Sequence, residues 1–541
     1  MFIRRYIFYF LIFFLSCSSK NSNNFSILKE AFIDWYNKNH ITENFNYDFS
    51  YFNVINNLVS DDYIEDINRF QLELSQINKN ELNSNDLIDF EILIKIINRI
   101  AQDNLKSKVL NFTINDVIVN IHSSFYFLMN NKNVTTFNKV IVLKSHLNDI
   151  EKYLNNSKDK LVSKNKSKDI EEFNINYNIL VKYIDFIIFD LSISDDNYKD
   201  LNSAFYELLK DLNKYNNWVN YDYSFLTNNY YVEPKNNVYK QYISELFNNK
   251  FYDYEKTINY FKNKSKIIQS DIFNESLSIY LNFNDEPIWI DKSDTLNVVN
   301  WIINNKISAN PINEDNLLND LKKNYSNIVE YYKEFKINSF DSTLVSIKYK
   351  EDYEIISDYY LNGVFILNDN ISKINLNSYN SNNLIFEKFF SMHNIYGSLN
   401  SNINQIRNIE NKLYTLGISL FLNDLYISDL KVDTSLNKIS FYLELLKNIE
   451  IALMQDKYNN NLDEKIIKQN LRANAFLSNS QSLYVSKDIL NADIYYIEPL
   501  LAYFHLLKLY EEKVLISGKL DKKEFLEKVF SYGYVNYYTI K

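Results

Sequence analysis

The scarcity of turn-forming residues is the feature that most limits the fold of this chain. Only five glycines and four prolines occur among its 541 residues. Sheets and barrels need many tight turns, and such turns use glycine and proline heavily. Because 46% of the residues are hydrophobic and 16% are aromatic, the chain has the composition of a globular protein. We therefore expect a mainly α fold, of a length that allows one or two well-buried cores.

Apolar residues recur at helical spacing along most of the sequence, which supports this expectation. The predicted helix at residues 61–77 has an apolar face formed by Ile64, Ile67, Leu74 and Ile77. The segment Ser84-Asn85-Asp86 offers cap residues and early negative charge for a second helix at 87–101. Similar patterns predict helices at 140–154, 170–191, 202–212, 238–261, 314–335, 438–453, 464–477 and 499–514. Pro499 lies in the first turn of the last helix, where its missing N–H is not needed.

Residues 343–368 depart from the helical pattern. Apolar and polar residues alternate in Val345-Ser346-Ile347-Lys348-Tyr349, and Gly363-Val364-Phe365-Ile366-Leu367 follows. This pattern predicts a small β insertion of two or three short strands. Asparagine-rich loops are predicted at 155–167 and 375–383.

The simplest domain division follows from these elements. It comprises a signal peptide at 1–17, a flexible tether at 18–26, an N-terminal helical region at 27–270 and a C-terminal helical region at 271–541. The predicted strands belong to the C-terminal region.

The N-terminus has the composition of a secretory leader. Arg4 and Arg5 precede an apolar run from Tyr6 to Leu15, and the small residue Ser16 stands directly before Cys17. This run covers ten residues, whereas a membrane-spanning helix needs about twenty. The polar residues that follow are typical of a flexible tether.

Cys17 is the candidate lipidation site. The arrangement Phe14-Leu15-Ser16-Cys17 resembles a bacterial lipobox, except that Phe14 replaces a smaller aliphatic residue. The prediction is a lipid-anchored protein of the bacterial cell envelope, and the outer membrane is slightly favoured because Ser18 is not acidic. The alternatives are an ordinary cleaved leader, or an uncleaved anchor in which the cysteine is incidental.

Composition excludes several kinds of site and partner. Cys17 is the only cysteine, so the rest of the chain can form no disulfide, thiolate nucleophile or cysteine-ligated metal site. The net charge of -10 argues against nucleic acid or an anionic bilayer surface as the main partner.

Common catalytic motifs are absent from the sequence. The glycines stand too far apart for a dinucleotide-binding, phosphate-binding or nucleophile-elbow motif. None of the five histidines is followed by glutamate or has a second histidine within five residues, which excludes a helical two-histidine metal clamp. His505 and Glu512 lie seven residues apart on one predicted helix, but packing beside Tyr503 and Leu507 is the simpler role for this histidine.

Several segments, taken in order, resemble a large bacterial family known as "domain of unknown function 885". Its members are exported, mostly helical proteins that resemble zinc-dependent peptidases. The matching segments are 70–93, 232–242, Tyr359 to Phe365, His393 to Gly397, Tyr414-Thr415-Leu416-Gly417 and Tyr495 to Pro499. The resemblance covers most of the chain and implies a large multi-helix, zincin-like scaffold.

The zinc-binding residues of that family do not carry over. His393 matches the first ligand, but Asn394 stands where the family has its general base. The second histidine is replaced in the region of Ser398 and Leu399, and the spacing to Gly397 is one residue short. Leu416 occupies the third-ligand position and Tyr458 that of a later histidine. A zinc hydrolase needs about three protein ligands and a base beside the metal-bound water. The resemblance therefore implies a pseudoenzyme without metal or other cofactor.

Three hypotheses for function remain. The first is a tethered, non-catalytic peptidase homologue that binds peptides or envelope proteins in a remnant cleft, with Tyr360, His393, Tyr414, Tyr495 and His505 as candidate cleft residues. The second is an active zinc peptidase with rearranged ligands, such as His393 and His505. The third is a structural envelope lipoprotein.

Overall fold

The chain folds into two helical units in this computed structural model. The first unit comprises Met1–Pro234 and Tyr349–Asn362, and the second comprises Lys235–Lys348 and Gly363–Lys541. The structure describes residues 24–36, 61–109, 113–130, 135–158, 161, 166–194, 199–225, 253–285, 292–309, 317–335, 346–355, 359–361, 364–367, 377, 379–387, 412–430, 434–459, 463–491 and 496–531. The mainly α fold that the sequence predicts is confirmed.

The first unit is built from seven described helices. They are α1 (24–36), α2 (Asp61–Ser75), α3 (Ser84–Val109), α4 (Ile114–Asn130), α5 (Thr136–Ser157), α6 (Lys166–Ser194) and α7 (Lys199–Tyr221). Helix α2 packs against α3, α4 against α6, and α5 against α7. The core of this unit combines aliphatic and aromatic side chains, and its fully buried aromatic residues include Phe25, Phe32, Phe70, Phe90, Phe125 and Tyr153.

Polar side chains cap the N-termini of helices α3 and α4. The Asn83 side chain accepts hydrogen bonds from the N–H groups of Asn85 and Asp86 at 3.0 and 2.9 Å. The cap of α3 is therefore Asn83, one residue before the predicted Ser84. Thr113 and Asp116 form a reciprocal capping box at the start of α4, with N–H to side-chain distances of 2.8 and 3.2 Å.

The second unit contains ten described helices. They are α8 (Tyr254–Tyr280), α9 (Lys292–Ile302), α10 (Leu317–Glu334), α11 (Ser381–Ile385), α12 (Lys412–Asp429), α13 (Thr434–Asn459), α14 (Glu464–Ala475), α15 (Asn479–Asn491), α16 (Ile497–Tyr510) and α17 (Lys522–Ser531). Helix α12 packs against α16 and α13, and α8 packs against α13 and α9. The sequence-based boundary at residue 270 lies inside α8.

Three short strands form the predicted β insertion. They are β1 (Ser346–Tyr349), β2 (Tyr359–Leu361) and β3 (Val364–Leu367), and the sheet has the order β1-β3-β2.

The asparagine-rich loop predicted at 375–383 is wrong in part. Its end begins α11, because Asn377 and Asn380 hydrogen-bond each other's backbone and turn the chain into a helix at Ser381.

Periodicity missed the helices that are buried on nearly every side. Helix α12 was not predicted, because buried apolar residues lie around most of its circumference and leave no continuous exposed polar face to mark it. These residues are Ile418, Leu420, Phe421, Leu422, Leu425, Tyr426 and Ile427. Helix α4 was missed for the same reason.

Helix α14 ends in a left-handed residue that is not glycine, in a chain that has few glycines. Phe476 has a φ of 56° and donates its N–H to the carbonyl of Leu471. Glycine is the usual residue at such a helix end, because a Cβ atom there costs about 1–2 kcal/mol.

Gly417 lies where α12 crosses α16 at very close range. A Cβ atom added at this position would be 2.5 Å from the Cβ of Ala502 and 2.6 Å from the carbonyl oxygen of Pro499. Both distances are far below van der Waals contact, so a side chain here would force the two helices apart. Glycine is therefore required at this crossing although it is a poor helix former.

We expect Gly417→Ala to lower the free energy of unfolding by about 1–3 kcal/mol, the usual cost of overpacking a core. This loss would occur although alanine favours an exposed helix by about 1 kcal/mol over glycine. Urea denaturation measures it. Ser428→Ala, on the exposed part of the same helix, serves as control and should change stability by less than about 0.5 kcal/mol. A Gly417→Ala variant as stable as the wild type would contradict the close crossing.

Candidate functional site

A small pocket opens in the second unit beside α11, α12 and α13. Its lining combines apolar, amide, hydroxyl and carboxylate side chains. The lining residues are Asn383, Phe386, Glu387, Leu416, Ser419, Leu420, Asn423, Glu444 and Asn448.

Helical spacing explains why these side chains share one pocket. Helix α12 contributes Leu416, Ser419, Leu420 and Asn423, which lie at positions i, i+3, i+4 and i+7 of one face. Helix α13 contributes Glu444 and Asn448, one turn apart. Since α12 packs against α13, the polar residues of both helices meet.

A chain of amide hydrogen bonds orients the asparagines. Asn383 donates its Nδ2 to the backbone carbonyl of Ser440 at 3.3 Å, and Asn423 donates its Nδ2 to Asn383 Oδ1 at 2.7 Å. A backbone carbonyl can only accept, so this contact fixes which way both amides point. Asn423 is only 1% exposed, and its Oδ1 has no hydrogen-bond partner within the described part of the chain.

Two carboxylates, Glu387 and Glu444, line the pocket. Both oxygens of Glu444 contact Lys447 Nζ, at 2.6 and 2.7 Å. Burial alone would lower the pKa of Lys447, but the charge of Glu444 and its hydrogen bond outweigh burial and hold the pKa above its usual value. The negative charge of Glu387 also acts on Lys447 in the same direction.

Of the residues that the family resemblance singled out, Leu416 lines this pocket. Tyr414 and Tyr458 belong to helices α12 and α13, and Tyr360 belongs to β2, but their side chains are not described. Cys17, His393, Asn394, Gly397 and Tyr495 lie outside the described residues. His505 is half-buried in α16 and does not line the pocket. The convergence of His393, Leu416 and Tyr458 on one cleft stays a prediction.

Sequence reasoning missed all six polar residues that line the pocket. They are Asn383, Glu387, Ser419, Asn423, Glu444 and Asn448. One sequence signal could have indicated the pocket: Ser419 and Asn423 stand at helical spacing within an otherwise apolar helix. A polar pair one turn apart in such a helix needs a buried partner or a ligand.

Across the residues that the structure describes, no group of three or more histidine, cysteine, aspartate or glutamate side chains is placed to hold a metal ion. None of the described helices combines the length and the hydropathy of a membrane span.

His122 is the centre of a buried cluster in the first unit. Its Nε2 lies 2.8 Å from the carbonyl oxygen of Tyr353, and because a carbonyl only accepts, Nε2 carries the hydrogen. The ring lies beside Tyr126 and Tyr183. The Tyr126 hydroxyl in turn donates to Glu354 at 2.7 Å. These contacts attach the segment around 353–354 to helix α4.

Burial controls the protonation of His122. The side chain is fully buried, and loss of hydration lowers its pKa to about 4, although the Tyr353 carbonyl and the charge of Glu354 both favour the protonated form. The other ring nitrogen, Nδ1, is buried without a partner among the described residues. His122 is therefore neutral at pH 7 and has a structural role.

Comparisons with known proteins show the fold but no family. No protein-family profile matches the chain, and no curated protein matches it. A solved structure of a candidate lipoprotein of unknown function from Shewanella oneidensis is similar, with a TM-score of 0.67 and 14% identity over 95% of this chain and 98% of that one. A candidate lipoprotein from Colwellia psychrerythraea has a TM-score of 0.59 and 12% identity over 89% of each chain. The chain thus shares its fold with these two proteins over nearly the full length of each.

We expect acid to destabilise the protein through His122. In the unfolded chain the histidine pKa is about 6.5, so protonation favours unfolding as the pH falls from about 6.5 towards the folded pKa of about 4. This stability is fully present above pH 6.5, and about 2 kcal/mol of it should be lost by pH 4.5.

His122→Gln tests this linkage, because glutamine can donate to the Tyr353 carbonyl but does not titrate. The stability lost by the wild type between pH 7 and pH 4.5, measured by urea denaturation, should exceed the loss in the variant by about 2 kcal/mol. Equal losses in the two proteins would contradict a neutral, buried His122.

Proposed function

We propose that this chain is an exported bacterial envelope protein, held at a membrane by a lipid on Cys17, that binds peptides or partner proteins without cleaving them. Its binding site is the pocket beside α11, α12 and α13. The observation that carries the proposal is the buried Asn423 oxygen, which lacks a hydrogen-bond partner within the described part of the chain and belongs to a residue that lines the pocket.

The lipid anchor is supported from two directions. Cys17 is the only cysteine and follows a basic and then an apolar segment, as a lipidation site requires. The two solved structures that share this fold over almost their whole length are both candidate lipoproteins. An acyl chain adds about 0.8 kcal/mol of membrane affinity for each buried methylene, so an acidic protein can be held at a bilayer without a basic surface.

Binding without cleavage is supported by the chemistry of the pocket. Leu416 stands where the family resemblance implies a zinc ligand, and it lines the pocket. A leucine side chain has no atom that coordinates a metal. Both oxygens of Glu444 contact Lys447, and the other polar groups of the lining are amides, a hydroxyl and the Glu387 carboxylate. These are the groups that fix the orientation of a bound ligand.

Replacement of Cys17 by alanine tests the anchor. In cells fed radioactive palmitate, the wild-type chain should carry label and sediment with membranes, whereas Cys17→Ala should lose the label and leave the membrane fraction. Ser18→Asp is the matched control, since it should keep the label but move the protein towards the inner membrane. A labelled Cys17→Ala chain would contradict the anchor.

Filling the pocket tests peptide binding. Residues 18–541 would be mixed with a library of fluorescent octapeptides, and affinity measured by anisotropy. Leu416→Trp places extra volume in the pocket and should weaken binding at least about tenfold, or about 1.4 kcal/mol. Leu483→Trp, at an exposed position of α15, should bind like the wild type.

The same samples distinguish binding from catalysis. Zinc content and peptide hydrolysis would be measured beside the anisotropy. Stoichiometric zinc and hydrolysis that both disappear in His393→Ala would overturn the non-catalytic proposal and support a peptidase with rearranged ligands. An anchored protein that binds no peptide would support a structural role.

A further inference from the structure

We infer that the lipid bilayer contacts the surface of the first unit around the start of helix α1, at Ile27 and at the neighbouring turn formed by residues 78–85. This inference deepens the proposed function and rests on its lipid anchor at Cys17, because it names the face of the protein that meets the membrane. It follows from the short length of chain between the anchor and the folded core.

Helix α1 is fixed in the core of the first unit from its second residue onwards. Phe25 is fully buried, and its ring centroid lies 5.7 Å from that of Phe90. One turn later, the Lys29 ammonium group donates to the Asp89 carboxylate at 3.0 Å. Both contacts hold the start of α1 against α3. Residues 24–26 of the predicted tether are part of this helix, so only residues 18–23 separate it from Cys17.

Chain geometry limits the distance between the lipid and α1. Seven Cα–Cα steps lead from Cys17 to Asn24, and in any conformation they span at most about 25 Å. A lipid on Cys17 keeps that residue at the bilayer surface. A unit of about 230 residues is about 45 Å across, so the far side of the unit cannot reach the same bilayer. The face around the start of α1 is the one that can.

The exposed side chains of α1 also place its first turns nearest the lipid. Asn24, Ile27 and Asp34 lie on one exposed face of the helix. Ile27 is 61% exposed, and an aliphatic side chain gains free energy when it enters the membrane interface. The acidic residues Glu30 and Asp34 come one and two turns later. Since anionic lipids repel carboxylates, this order favours contact at the start of the helix.

The turn formed by residues 78–85 extends this surface beyond α1. The Lys79 ammonium group lies 5.1 Å from the centroid of the Phe90 ring, which also neighbours Phe25. The turn therefore lies beside the start of α1. An exposed lysine at this place is attracted by lipid phosphates. Half of the turn consists of exposed, uncharged asparagines, which are Asn78, Asn80, Asn83 and Asn85.

The test measures how close this surface comes to the lipid headgroups. Because Cys17 is the only cysteine and carries the lipid, an introduced cysteine is the only free thiol. The acylated full chain, with a fluorescent label on Asn80→Cys or Asp34→Cys, would be placed in vesicles of phosphatidylcholine and phosphatidylglycerol. A nitroxide on some headgroups quenches labels that touch them. Asn80 is on a different segment from the tether, so its label reports on the surface itself.

We expect strong quenching of the label on Asn80→Cys. Quenching of the label on Asp34→Cys should be at least about threefold weaker, because Asp34 lies about 10 Å beyond Ile27 along the helix. Equal quenching of the two labels would overturn the inference.

A charge at Ile27 tests the apolar part of the contact. In the chain labelled at Asn80→Cys, Ile27→Asp should lower the quenching at least about threefold. Ile141→Asp makes the same change at a 51% exposed position of α5 in the same unit and should leave the quenching unchanged. Urea denaturation verifies that both variants are folded. Equal quenching in Ile27→Asp and Ile141→Asp would overturn the contact at Ile27.

Palmitate labelling of the same preparations separates this inference from the proposed function. If the chain carries palmitate and sediments with the vesicles, but the Asn80→Cys label is not quenched, the membrane-facing surface is overturned and the lipid anchor stands. If the chain incorporates no palmitate, the anchor fails and this inference fails with it. Peptide binding by residues 18–541 is measured without the lipid and is independent of both results.

Discussion

The close crossing of α12 and α16 at Gly417 is the constraint on which the second unit depends. A single methyl group at this position would lie within 2.6 Å of both Ala502 and Pro499. The crossing brings α12 against α16 along its length, and the Tyr503 hydroxyl reaches Asp424 at 2.7 Å. Because this crossing fixes the position of α12, it also fixes the position of the α12 residues that line the pocket. A glycine that is costly for the helix alone is thus required by the packing of its neighbours.

Many buried polar groups in both units are paired within the chain. In the first unit, Tyr126 donates to Glu354 and His122 to the Tyr353 carbonyl. In the second unit, Ser265 donates to the buried Glu450 at 2.6 Å. Buried polar side chains in folded proteins are nearly always satisfied in this way. His122 Nδ1, Ser276 Oγ and Asn423 Oδ1 are among the buried atoms without a partner within the described residues, and Asn423 also lines a pocket, where a ligand can supply a donor.

The pocket also changes how the family resemblance is interpreted. The resemblance directed attention to Leu416 as a lost metal ligand, and Leu416 does line a pocket. Its neighbours there are amides and carboxylates on α12 and α13, which the resemblance did not indicate. The likeness to two candidate lipoproteins at 14% and 12% identity extends to the fold. The function therefore has to be argued from the chemistry of the pocket itself.

The sequence by itself determined the fold class, because five glycines and four prolines cannot supply the turns of a large sheet. It also determined most amphipathic helices and the strands near 343–368, since both have a period that is visible along the chain. It could not reveal α12 or α4, whose buried apolar residues lie around most of the helix. Only the tertiary structure decided that Asn383, Asn423 and Glu444 meet, because residues up to 61 positions apart come together through helix packing. The orientation of the Asn423 amide, and hence the unpaired oxygen, depends on a backbone carbonyl at Ser440 that no sequence pattern encodes.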